Sequence, residues 1–260
     1  MKLTVLTDNV AGGRFQAEHG LSYLIETDTE KILFDTGHSD VFLKNAKKLG
    51  IDIQHEVQKI VLSHGHWDHG NGLQFLRGQT LITHPEAFQQ RFRKKNHSPV
   101  GLEMSREEIT ASFDLITARE PVQITDKLWY LGEIPRTNEF EAQATSFEFS
   151  DGSEDFVSDD SALAAVVNNQ LVIISGCAHS GICNICEYAK KVTGISKIKA
   201  VIGGFHLKEQ NHQTRETLRY FADNKVEQVF PSHCTELPAL ALFQDAFHSR
   251  QVKTGMVFEF

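Results

Sequence analysis

His64-Gly65-His66-Trp67-Asp68-His69 sets three imidazoles and a carboxylate within one short stretch, directly behind the apolar run Lys59-Ile60-Val61-Leu62-Ser63. Imidazole and carboxylate donors suit zinc, and also iron or manganese. His64 and His66, at alternate positions, can clamp one ion. Asp68 and His69, adjacent in the chain, point differently and can serve a second. Two ions roughly 3.5–4 Å apart activate a water that lies between them. A His-rich surface loop is the bland alternative. The buried-type strand before the run and the tight Gly70-Asn71-Gly72 after it weigh against that reading.

The same arrangement recurs along the chain. Lys59–Ser63 runs into His64, Leu171–Ser175 into Gly176-Cys177-Ala178-His179, Ala200–Ile202 into Gly203-Gly204-Phe205-His206, and Val229–Pro231 into Ser232-His233. In α/β sheets, ligands bind beyond the carboxyl ends of the strands. Glycine and serine ahead of each histidine let the backbone turn and leave room near an ion. One such histidine is ordinarily a satisfied core residue; four at equivalent positions are hard to explain that way. Cys183-Asn184-Ile185-Cys186 is a lone Cys-x-x-Cys on a predicted helix, a weak redox signal and more often helix packing.

The elements that must position these residues alternate strand and helix. Strands are expected at Leu21–Thr27 and Lys31–Asp35, joined by a turn at Asp28-Thr29-Glu30, and at Lys59–Ser63 and Gln79–Thr83. A helix is expected over Asp40–Leu49 and another over Pro85–Lys95, with proline at its start. On that basis the dense basic run Arg91-Phe92-Arg93-Lys94-Lys95 reads as a solvated helix end. The stretch Asn96–Asp126 reads as irregular, a loop or lid over a site. Later come a hairpin, Ala162–Asn168 and Gln170–Ser175, turning at Asn168-Asn169, a helix over Ile182–Val192 and strand Lys199–Ile202. Helix Thr214–Asn224, strand Gln228–Pro231, helix Leu237–Ser249 and a closing strand at Met256–Phe260 complete an α/β layered fold.

With 260 residues and neither repeat nor linker, the chain reads as one domain of two packed halves spanning 1–260. No apolar run approaches the roughly 20 residues of a membrane span. The 34 acidic residues against 26 basic ones, net charge −8, disfavour nucleic acid as a partner. Four cysteines do not make a disulfide framework, and with an N-terminus that reads as a strand they point to the cytoplasm.

His-x-His-x-Asp-His after an apolar strand resembles the signature of the metallo-β-lactamase superfamily, and Phe34-Asp35-Thr36-Gly37 resembles its strand-ending Asp-Thr-Gly segment. Glu18-His19-Gly20-Leu21-Ser22, Gly132-Glu133-Ile134-Pro135-Arg136, Gly176-Cys177-Ala178-His179-Ser180-Gly181, Gly203-Gly204-Phe205-His206-Leu207 and Ser232-His233-Cys234-Thr235-Glu236 are similar, in order, to motifs of one subgroup. Its members are described as like the archaeal 7,8-dihydropterin-6-methyl-4-(ribofuranosyl)aminobenzene-5′-phosphate synthase. The resemblance implies a four-layer αββα sandwich with a dinuclear site, zinc first among the candidate metals. It implies His64, His66 and His179 on one ion and Asp68, His69 and His233 on the other. The redox branch of the superfamily carries Glu where this chain has His66, so the resemblance is to the hydrolytic branch. Where many members carry a bridging Asp, this chain reads Ser175-Gly176-Cys177; Cys177 is either a thiolate ligand or a packed thiol.

Asp35 is expected to hold a ligand imidazole by its far nitrogen rather than bind metal. His206 is either a ligand or a contact to substrate at the catalytic centre, and Asp68 is placed to orient the nucleophile. His19, Trp67 and Arg136 are candidate substrate contacts. For His19 with Asp8-Asn9 the alternative is turn capping, and for Arg136 it is a surface ion pair with Glu133. Three functions fit: a hydrolase of a small, phosphorylated or pterin-like molecule using metal-activated water, a synthase acting on a dihydropterin and a ribofuranosyl-aminobenzene phosphate, and a non-enzymatic metal-binding protein. The nearly complete ligand set speaks against the last.

Overall fold

The computed structural model describes residues 1–260, which form two compact units. The first comprises Met1–Arg119, Ser146–Asp155 and Lys253–Phe260; the second comprises Glu120–Thr145 and Phe156–Val252. No helix is long and apolar enough to cross a membrane.

The first unit is built on a seven-stranded sheet. Strands β1 (Lys2–Thr7), β2 (Ser22–Glu26) and β3 (Lys31–Phe34) run antiparallel, followed by β4 (Lys59–Val61) and β5 (Thr80–Thr83), parallel to β3. Phe34 pairs with Val61 and Val61 with Ile82, so the three parallel strands end level. Asp35 and His64 therefore leave the sheet at one edge, as the sequence pattern anticipated. Helices α1 (Val41–Lys48) and α2 (Ile53–Glu56) cover the sheet; Phe42, Ala46 and Ile53 pack with Leu24, Leu33 and Ile60 in one buried cluster.

Two expectations fail in this unit. Pro85–Lys95 is not a helix: a turn leads into β6 (Arg91–Arg93), which pairs with β10 (Phe147–Phe149) in a small separate sheet. The basic run is solvated at Arg93, Lys94 and Lys95 but not at Arg91, which is 1% exposed with its guanidinium 3.4 Å from the buried Asp155 carboxylate. A distant strand and a buried counter-ion outweigh local helix propensity here, which neighbouring sequence cannot reveal. The stretch Asn96–Asp126, hard to read from sequence, carries α4 (Arg106–Ser112), β7 (Asp114–Thr117) and, in the second unit, β8 (Val122–Thr125). Ser105 and Glu108 close a reciprocal capping box at the start of α4.

The second unit is a six-stranded sheet in the order β15-β14-β13-β12-β9-β8, where β9 is Leu128–Tyr130, β12 Ala162–Val167, β13 Gln170–Ser175, β14 Ile198–Gly204 and β15 Gln228–Ser232. β12 and β13 form the expected hairpin, and Asn168 and Asn169 both take positive φ, as a tight two-residue turn requires. β13, β14 and β15 are parallel, with Ser175 opposite Gly203 and Gly204 opposite Ser232. Crossover helices α5 (Ile182–Thr193) and α6 (His212–Asp223), with α7 (Leu237–Phe247), bury Ile182, Ile185, Phe221 and Phe243 with Ile173, Val201 and Phe205. Cys183 and Cys186 lie inside this cluster, where burial pushes both thiols well up, as packing residues rather than a redox pair.

Candidate metal centre

In the first unit the signature folds as one helical turn, Trp67–Gly70, immediately after the strand-to-loop bend at His64-Gly65-His66. A Cβ on Gly65 would sit 1.8 Å from the Ala87 carbonyl oxygen, so only glycine lets the loop close there. His64 and His69 are fully buried and His66 nearly so. Their rings lie close, His64 tilted against His69 with centroids 4.3 Å apart and edge-on to His66 at 4.6 Å. The Phe147 ring lies 4.7 Å from that of His66.

Hydrogen bonds set the outward edges of two of these rings. Asp35, fully buried and at φ 55°, accepts from the Ser63 backbone N–H at 2.7 Å, the Ser63 hydroxyl at 2.8 Å and His69 Nδ1 at 2.6 Å. The Ser63 proton is thereby committed to Asp35, so Ser63 Oγ accepts from His64 Nδ1 at 2.9 Å. This network assigns the proton to Nδ1 on both His64 and His69 and turns each Nε2 lone pair inward. His64 Nε2 then lies 3.0 Å from His66 Nδ1. Burial first, and the neighbouring imidazoles of His69 and His66 second, hold the His64 pKa well below its ordinary value, so the ring is neutral.

Asp68 is 8% exposed, and its carboxylate lies 3.1 Å from His19 Nε2. His19 Nδ1 is 3.2 Å from Asn9 Nδ2, and Asn9 Oδ1 accepts from the Gly20 N–H, so Asn9 ties the turn together. Trp67, half-buried, packs against His19 at 5.3 Å and meets His38 edge-on at 4.6 Å.

In the second unit the parallel strand ends deliver Cys177, His179, His206 and His233. Ala178, His206 and His233 adopt left-handed backbone, with φ of 53°, 50° and 51°; for residues other than glycine such strain concentrates at functional sites. The rings of His179 and His206 have centroids 4.4 Å apart. Sγ of Cys177, a ring nitrogen of His233 and Sγ of Cys234 all lie within 4.8 Å of one another. Cys177 is 4% exposed, and none of the four cysteines is in a disulfide. The turn that carries His179 is anchored by the buried Asp160, which accepts from the Ser180 hydroxyl at 2.5 Å and the Ser180 N–H at 2.9 Å. Burial, opposed by those hydrogen bonds, raises its pKa to about 6.

The Arg136 guanidinium donates to the carbonyls of Phe156 and Val157 and lies over the Phe156 ring. Ser63, Asp160 and Cys234 were not singled out from the sequence. Ser63 and Cys234 each abut an assigned histidine, and that adjacency was the available signal. Nothing local marks Asp160, whose partner is twenty residues away.

The donor set suits a metal. A tetrahedral zinc with bonds of about 2.0–2.1 Å to nitrogen sets its ligand nitrogens roughly 3.3 Å apart. The 3.0 Å between His64 Nε2 and His66 Nδ1 is close to that spacing, and the His64 ring is neutral with its far nitrogen held by Ser63. Residues 16–87 match the family model described as the metallo-beta-lactamase superfamily. The chain is 31% identical to Tm1679, a metal-dependent hydrolase of the beta-lactamase superfamily known from its crystal structure; the likeness covers 100% of this chain and 99% of that one, with a TM-score of 0.87. It is 34% identical over 92% of its length to an uncharacterized protein of Methanocaldococcus jannaschii, covering 92% of that protein. The chain belongs to the metallo-β-lactamase superfamily and has its fold. Within that family it is 29% identical, over its whole length and 97% of the relative's, to the M. jannaschii 7,8-dihydropterin-6-methyl-4-(β-D-ribofuranosyl)-aminobenzene-5′-phosphate synthase.

Proposed function

We propose that this protein is a metal-dependent hydrolase of a small molecule. The observation that supports the reading is the approach of His64 Nε2 to His66 Nδ1 at 3.0 Å on buried rings, with His64 oriented by Ser63, which Asp35 holds in turn. We assign His64, His66 and His179 to one divalent ion and Asp68, His69 and His233 to another, following the motif resemblance, with zinc the first candidate and iron or manganese the others. Two such ions supply an acidified water at neutral pH and a Lewis acid for the developing negative charge.

The chain's own residues do the rest. Asp35 fixes His69 and, through Ser63, His64, so both keep the tautomer that coordinates. Asp68 lies beside the exposed His19, and this carboxylate and imidazole would take a proton from the nucleophile or return one to the leaving group. Trp67 offers a flat half-buried ring beside that pair for an aromatic or heterocyclic part of the substrate.

The synthase reading is favoured by one finding, the full-length similarity to the M. jannaschii enzyme. The two readings separate in one experiment. Protein stripped with chelator and reloaded with zinc, manganese or iron is incubated with phosphodiester, lactone and thioester substrates, and separately with a dihydropterin and a ribofuranosyl-aminobenzene phosphate. Metal-dependent cleavage lost in Asp68→Ala supports the hydrolase. Condensation of the second pair without cleavage of the first set overturns it in favour of the synthase.

A further inference from the structure

We propose that Cys177, His233 and Cys234 together form a two-thiolate, one-imidazole position for a borderline-soft divalent cation such as zinc. The proposal rests on the metal-centre reading above and deepens it, because it adds Cys177 and Cys234 to the ligands and gives the cation beside His233 thiolate chemistry.

Their donor atoms already stand within 4.8 Å of one another. A tetrahedral zinc with bonds of about 2.3 Å to sulfur sets two thiolates roughly 3.8 Å apart, so small side-chain rotations close the set. Neighbouring side chains on a strand point to opposite faces. Here His233 lies past the end of β15 at φ 51°, and that left-handed turn lets His233 and Cys234 serve one point. Ala178, at φ 53°, makes the corresponding bend after Cys177.

The surroundings of Cys234 are those of a held sulfur. The His206 N–H donates to its Sγ at 3.3 Å, the kind of outer contact that tunes metal-bound thiolates. The Cys177 carbonyl lies 3.5 Å away, ready for the thiol proton before metal binds. A Cβ on Gly204 would come within 2.6 Å of this sulfur and 3.2 Å of Cys177 Cα, so glycine at 204 leaves the room the sulfur occupies. Two thiolates and the His233 imidazole fill three tetrahedral positions, so at most one of Asp68 and His69 would complete this ion. On binding, each thiol yields its proton to solvent, and no electron changes hands.

The remaining cysteines serve as internal controls. Cys183 and Cys186 are buried in the apolar core of α5, with thiols pushed well above their ordinary range chiefly by desolvation. They are expected to stay protonated.

The test uses full-length protein stripped of metal and titrated with Co²⁺, whose thiolate complexes absorb strongly in the near ultraviolet. That band is expected in the wild-type chain, reduced in Cys177→Ser and in Cys234→Ser, and lost in the double variant. Should the variants fail to fold, wild-type protein alone decides, because zinc is expected to slow alkylation of the half-buried Cys234 relative to the stripped form. Cobalt bound without the thiolate band, with alkylation of Cys234 indifferent to zinc, overturns this proposal and leaves the metal centre standing. Absence of any bound cobalt or zinc overturns both.

Discussion

Asp35 accepts three hydrogen bonds with no solvent contact, and through them it governs two of the imidazoles in the signature. Asp35→Asn replaces one acceptor oxygen with an amide that competes for the same partners. Zinc affinity is expected to fall about 10–100-fold, measured by competition against a chelator of known strength. Unchanged affinity would show that Asp35 does nothing for the rings it touches. His66→Ala removes a donor rather than its support, so the effect should be larger and of another kind. Metal stoichiometry itself, by elemental analysis of protein purified without chelators, is expected to drop. The dense run of donor types singled out His64, His66 and His69 without tertiary context, and Asp35 was singled out by the resemblance of its Asp-Thr-Gly segment to that of the superfamily. It did not single out Ser63, whose hydroxyl became important only when β3 and β4 were paired and ended level.

Two buried carboxylates illustrate the element scale. Helix α5 begins at Gly181 without a side-chain cap of its own, and Glu141, forty residues earlier, accepts from the Cys183 and Asn184 N–H groups at 2.9 Å each. A Cβ on Gly181 would meet the Glu141 carboxylate at 2.4 Å, so glycine there admits the acceptor. Glu141→Ala leaves two buried donors without it and is expected to cost about 2–4 kcal/mol in denaturant unfolding. Asp160 makes a pH prediction. Its folded pKa is about 6 against an ordinary value of 3.8, mainly through burial. Between those values the folded chain holds the proton and the unfolded chain does not, so stability declines as pH rises through that window. At about 1.4 kcal/mol for each tenfold change in proton affinity, about 3 kcal/mol rides on this carboxyl. Asp160→Asn should flatten unfolding free energy over that pH range; an unchanged slope would remove Asp160 as its source.

For the whole molecule, the proposed ligands bind metal only when folded, so metal and fold are linked. A free metal concentration of 1,000 times Kd stabilises by about 4 kcal/mol. Chelation is therefore expected to lower Tm and zinc to restore it, read by calorimetry with and without added metal. Acid should have the same effect as chelation. His64 is held neutral in the fold, so below its ordinary value of 6.5 the unfolded chain takes up a proton that the folded chain refuses, and stability is lost as pH falls. If water is the nucleophile, Cys177→Ser should retain measurable hydrolysis while the metals stay bound. A covalent adduct trapped on Cys177 during turnover would replace that mechanism.

The superfamily, the α/β character and the four strand ends that run into histidine were all legible from residue types and spacing. Periodicity and donor chemistry are local properties, and the Asn168-Asn169 turn with its two positive φ angles is equally local. The departures have a common cause. Arg91–Arg93 became a strand because a partner strand more than fifty residues away and the buried Asp155 outweigh the helical tendency of its neighbours. The segment from Ser105 became helix α4 although its capping box stood in plain view, because its polar surroundings masked the short apolar stripe. Cys234 escaped notice because adjacent side chains on a strand diverge. Only the folded chain supplies the left-handed turn at His233, and which neighbouring donors share a point in space depends on backbone angles set by tertiary packing, to which residue type is nearly blind.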